Sequence, residues 1–287
     1  MARTVTTGAA GGGSTASVPS TGNWASGTFG TGLIQVYGVG SHTYTVPSGI
    51  SSVRVRCWGA GGGGSGSSSS YSGGGGGGFA MKTITGLTAG TAIVVTVGEG
   101  GARFASGGTT SFGSHVSATG GSGASNTAAE QTGGTGSGGD VNYTGGSSLQ
   151  ANSSGGGVAS MWGNGQHGSS NMNSTVRGGA GSGTSTSSAS ISTSGIFRAM
   201  SFGTQGYSSA GVNASSPTTE TAMLLGQPIC SIDMIGTGPG GMAAGGVARN
   251  GGGGGATMGG SFPGGGSGSG SSSWINVGGD GLLIVEY

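Results

Sequence analysis

The sequence predicts an all-β protein, an antiparallel β-sandwich base that carries a bundle of polyglycine II helices and capping loops. Three observations lead there. Strand-like apolar runs cluster at the two ends of the chain. The last of them, GLLIVEY, needs a sheet to pair with. Between the ends, 77 glycines among 287 residues recur in short bursts with a local spacing of three.

Taken in order, residues 1–32 mix Gly, Ser and Thr around Trp24 and Phe29 and read as an N-terminal arm or attachment segment. LIQVY (33–37) and HTYTV (42–46) then flank a short GVGS turn. SVRVRCW (52–58) alternates, which places Val53, Val55 and Cys57 on one face and Arg54, Arg56 and Trp58 on the other. FAMKTIT (79–85) and TAIVVTV (91–97) follow, joined by the turn-like GLTAG, and weaker strands are expected around 109–119. An isolated terminal strand is unstable, so 281–287 must return to the sheet built from 33–97. The base is therefore expected to comprise 33–119 plus 281–287. Residues 120–280 form a long glycine-rich excursion, and Gly59–Gly78 is a further glycine insertion.

The bursts are too short and too poor in proline, with six residues of it, for a collagen triple helix. Polyproline II geometry has three residues per turn and no internal hydrogen bonds. Glycine helices of that form can lie side by side so that every N–H and C=O bonds to a neighbour. A side chain at an inner position would push them apart. Gly61–Gly64 and Gly73–Gly78 are expected to be two such helices, with the Ser-rich stretch and Tyr71 as the loop between them. The glycine-poor segments 124–132, 147–154, 169–177, 184–202 and 207–237 then cap the helices as loops. They and their flanks concentrate the side chains suited to recognition: Tyr143, Met161, Trp162, His167 and Met172 in one stretch, Phe197, Phe202 and Tyr207 in another. Segment 221–237, TAMLLGQPICSIDMIGT, is too apolar for an exposed loop, and burial is the expectation for it.

Composition also narrows the function. Charged residues make up 5%, the formal net charge is +1 and Lys82 is the only lysine, so a nucleic-acid partner is not expected. No stretch reaches the length of a membrane span, and MARTVTTGAAGGG has no apolar core of a secretory signal, so assembly in a cytoplasm is the expectation. Cys57 and Cys230 are expected to be free thiols. Three His, three Asp and four Glu form no close constellation, and neither a metal spacing, a P-loop nor a nucleophile elbow is present. The reading is a non-enzyme without a cofactor.

VPSGISSVRVRCWGAGGGG, GGGGGGFAMKTI, AIVVTVGEGG, GGTTSFG and the closing GGDGLLIVEY resemble the glycine-rich domain of bacteriophage tail-fibre and tail-tip proteins. The resemblance implies a jelly-roll or tumour-necrosis-factor-like sandwich bearing glycine helices. It also implies a virion adhesin, a homotrimer joined to other tail-fibre or baseplate subunits. Its loops would meet a protein or glycan receptor on the host surface through Tyr143, Met161, Trp162, His167, Met172, Phe197, Phe202 and Tyr207. A structural virion component, such as a head fibre or capsid decoration protein, is the alternative. An ice-binding protein is a third class, and the irregular bursts argue against it.

Overall fold

The computed structural model describes residues 16–19, 33–65, 72–125, 129–148, 154–168, 235–236, 253–254, 259–269 and 276–287. Its strands are β1 (Ala16–Pro19), β2 (Leu33–Tyr37), β3 (Gly40–Thr45), β4 (Ser52–Trp58), β5 (Phe79–Thr85), β6 (Ala92–Val97), β7 (Thr110–Phe112), β8 (Val116–Ala118), β9 (Gly136–Ser137), β10 (Val141–Tyr143) and β11 (Leu282–Glu286). They form a six-stranded sheet in the order β1-β2-β11-β4-β5-β10 and a five-stranded sheet in the order β3-β6-β7-β8-β9. All pairings are antiparallel. The last strand does return to the first ones, inserting between β2 and β4. Three strands come from stretches read as arm or glycine region: β1 pairs with β2, β9 with β8 and β10 with β5.

Both short connections that look like hairpin turns instead carry the chain from one sheet to the other. β2 belongs to the larger sheet and β3 to the smaller, as do β5 and β6. Turning such a corner needs backbone that L side chains avoid, and Gly40, Gly86 and Gly90 supply it at φ 121°, 73° and 82°.

Tyr37, Tyr44, Val53, Val55, Cys57, Val95, Phe112, Leu283 and Val285 fill the space between the sheets. Cys57 is a free, fully buried thiol, and burial pushes its pKa up. Of the alternate residues of β4, Arg56 and Trp58 do not face water either, while Ser52 and Arg54 are partly exposed. Register aligns Leu282, Trp58, Phe79 and Tyr143 in one row across the outer face of the larger sheet, and Val36, Ile284, Arg56, Met81 and Val141 in the next. Val158, Ala159, Met161 and Ile235 pack over these rows as a second apolar cluster. Within it Glu286 accepts from Arg56 Nε at 2.5 Å, both groups being buried, while Arg54 Nη1 stands 3.9 Å from the same carboxylate.

Beyond one end of the sandwich the strands run on as glycine rods. Gly59 and Gly62 N–H donate to Gly78 and Gly75 O at 3.0 and 2.8 Å, and Ala60 and Gly63 to Gly108 and Ala105 O at 3.1 and 2.9 Å. Gly61 and Gly64 donate to Gly279 and Asn276 O at 2.8 and 3.0 Å. The carbonyls of the same rod accept from three further segments, through Gly121 and Ala124, Gly101 and Phe104, and Ser267. The partner changes with every residue and recurs with every third, which is how a three-residue helix surrounded by neighbours must bond. Segment 72–78 repeats the pattern: Gly74 and Gly77 donate to Ser267 and Gly264, Gly75 and Gly78 to Ser122 and Thr119, and Gly76 to Gly146. A Cβ on Gly62 would fall on Ser122 O, and one on Gly76 on Gly157 O. The stretch 59–78 thus supplies two fully surrounded rods at the centre of the lattice; its residues 66–71, Tyr71 included, lie outside the described residues.

Candidate functional site

The rods leave little surface for side chains except where one segment ends and the chain turns back. Residues 154–168 contain such a place. Gly156 donates to Gly74 O and Ala159 to Gly77 O, which seats this segment against the lattice. Val158 and Ala159 are fully buried against the larger sheet. Ser160 and Gly163 then exchange backbone hydrogen bonds of 3.1 Å, closing a narrow turn whose Gly163 has φ 143°. Met161 points inward and its Sδ accepts from Arg56 Nη1 at 3.3 Å. Trp162, the next residue, points outward: it is 40% exposed, while its backbone N–H is held by Ser160 Oγ.

After the turn the chain becomes an edge rod. Gly165 and Gly168 donate to Thr144 and Ser147 O at 2.9 and 2.8 Å. The return bonds come from side chains: Thr144 N–H donates to Asn164 Oδ1 at 2.9 Å and Ser147 N–H to His167 Nδ1 at 3.0 Å. Both pairs are three residues apart, so the side chains replace the neighbour that an edge rod lacks. Because His167 Nδ1 accepts, its proton sits on Nε2 and faces outward with the Asn164 amide. Both residues are exposed.

Residues 36–287 match the model of the glycine-rich domain. The chain belongs to the glycine-rich domain family. None of the curated proteins matches it.

In this glycine-rich domain, the residues singled out for recognition divide by environment. Trp162 and His167 are exposed near one turn. Met161 and Tyr143 are half-buried and pack against the cluster on the outer sheet face. Met172, Phe197, Phe202, Tyr207 and Cys230 lie outside the described residues. Of segment 221–237, Ile235 and Gly236 are described. Ile235 packs on the outer sheet face, and Gly236 comes up against the Trp58 indole and Val158. Asn164 escaped the sequence reading, although its spacing of three from His167, with Gly165 and Gly168 in matching positions, is the signal of an edge rod. Among the described residues no three of His, Cys, Asp and Glu come together as a metal site would require.

Proposed function

We propose that this glycine-rich domain is a phage tail-fibre or baseplate-tip adhesin that meets a host cell-surface receptor, protein or glycan, through loops on a rigid polyglycine scaffold. The observation that carries the reading is Trp162. A large indole is 40% exposed on a turn whose neighbours on both sides are locked into the lattice and the sheet. Exposing an aromatic residue on a rigid mount supplies contact area with little ordering entropy to lose on binding. In this reading the chain assembles in the host cytoplasm as a homotrimer with other fibre or baseplate subunits. It works without a cofactor or an enzymatic step.

The test is adsorption to host cells. Trp162→Ala is expected to cut the adsorption rate at least about tenfold, the loss of roughly 1.4 kcal/mol or more expected of an aromatic anchor, with particle yield and melting temperature unchanged. Adsorption at the wild-type rate would remove this turn from the receptor site.

A second reading is a structural virion component such as a head fibre or capsid decoration protein. It is favoured by Met161, Tyr143 and His167, each of which packs against the sheet or pins a rod. Immunogold labelling on the capsid, with anti-turn antibodies that leave infection intact, would favour it over the adhesin.

A further inference from the structure

The glycine rods join the sandwich at one end, through residues 59, 78, 98, 119, 135 and 281. The turns at 113–115 and 138–140 therefore stand at the opposite end, away from the lattice and from Trp162. Between them lies a cleft of about 100 Å³ lined by Gly113, Ser114, His115, Val116, Ser117, Ser137 and Gly138.

Four of its seven lining residues carry a hydroxyl or an imidazole. Ser114 and Ser137 are exposed and Ser117 is half-buried. Ser117 and Ser137 face each other across the β8–β9 ladder. The His115 ring is half-buried and oriented by Phe112, whose ring centroid is 6.3 Å away. Lys82, the only lysine of the chain, reaches one of these turns: its Nζ donates to Gly138 O at 2.7 Å and keeps two further N–H groups. Gly113 and Gly138, at φ 51° and 74°, shape the two turns as no L side chain would readily allow.

We propose that this cleft binds a phosphate group, as the free ion or as a monoester. Three hydroxyls and an imidazole line this one small cleft, and an ammonium is anchored on the carbonyl of Gly138, which also lines it. Donors of that kind are strongest toward a charged oxygen acceptor. A space of about 100 Å³ has room for a tetrahedral oxyanion. The opposing charge nearby is Asp140, and Thr83 N–H already occupies its Oδ2 at 2.8 Å. The site is separate from the Trp162 turn, so either can fail without the other.

The test uses the full 287-residue chain and the imidazole proton resonances of His115, assigned by their loss in His115→Gln. Inorganic phosphate and glycerol 3-phosphate are titrated in turn against sodium chloride of matched ionic strength. A saturable shift with Kd on the order of 1 mM is expected for at least one of the two. Lys82→Met, at a half-buried side chain, and Ser117→Ala are each expected to weaken it several-fold at unchanged melting temperature. Response to inorganic phosphate alone assigns the free ion, and response to glycerol 3-phosphate assigns the ester. A linear drift equal to that in chloride, or undiminished binding by both variants, overturns the proposal.

Discussion

Gly74 and Gly38 occupy the same kind of residue at sites with opposite demands. A Cβ on Gly74 would run into Gly62 O and the Gly62 backbone behind it, where nothing flexible can give way. Gly38 has nothing within 4 Å of its Cβ position and no left-handed φ. Gly74→Ala is therefore expected to destabilise by about 3 kcal/mol or more, through overpacking against fixed backbone. Gly38→Ala should be neutral or slightly stabilising; a thermal melt of each variant checks the pair. The tyrosines make the residue scale sensitive to pH. Burial pushes the Tyr44 phenol up from 10.0 to about 12 and raises Tyr37 and Tyr287 as well. A phenol that stays protonated when folded but ionises near pH 10 when unfolded contributes stability below that pH. The contribution is lost as pH rises toward 12. Unfolding midpoints followed across this window, alongside tyrosinate absorbance, should fall steeply while they are flat between pH 7 and 9.

At the scale of elements, β11 and the C-terminal part of β4 are buried on both faces, and the ion pairs of Arg54 and Arg56 with Glu286 are where that arrangement is most vulnerable. Removing the Glu286 charge takes the carboxylate from beside both guanidinium groups, with the Arg56 group fully buried. Glu286→Gln is expected to cost about 3 kcal/mol or more, whereas Arg56→Met with Glu286→Leu should stay within about 1 kcal/mol of the parent. Chemical denaturation of the two variants distinguishes these outcomes. The edge rod 163–168 makes a subtler case, because its return bonds come from Asn164 and His167. Replacing either with Ala removes one acceptor from Thr144 or Ser147 N–H, worth about 1 kcal/mol. Amide exchange at that residue alone should accelerate several-fold, with global stability nearly unchanged.

For the whole molecule, order comes from two different sources. The sandwich is held by apolar burial, the lattice by backbone hydrogen bonds in which nearly every residue serves a different neighbour. Those bonds offset the large entropy that glycine loses on folding only when all the rods are in place. The amides of 59–64 and 74–78 are thus expected to exchange as slowly as those of β4 and β11, despite the near absence of side chains. Deuterium-exchange mass spectrometry would read this directly; fast exchange across these residues would mean that the rods are not a cooperative unit.

Much of this was legible in the sequence. Strand runs such as LIQVY and SVRVRCW announce themselves by β-branched and aromatic residues in alternation. Bursts of glycine spaced by three announce rods, because only glycine tolerates backbone at that distance from backbone. The return of GLLIVEY to the sheet followed from the instability of a lone strand. Other features depended on partners far away in the chain. Whether 38–39 and 86–91 turn a hairpin or cross between sheets is set by β11 and β6, not by the turns themselves. The alternation of β4 marks two faces, but only Val158, Ala159, Met161 and Ile235 decide that the second is dry around Arg56 and Trp58. Met161 and Trp162 are adjacent and both apolar, and the turn at Ser160–Gly163 sends one inward and the other out. Local pattern determines what a segment is; which of its faces meets solvent is a property of everything packed around it.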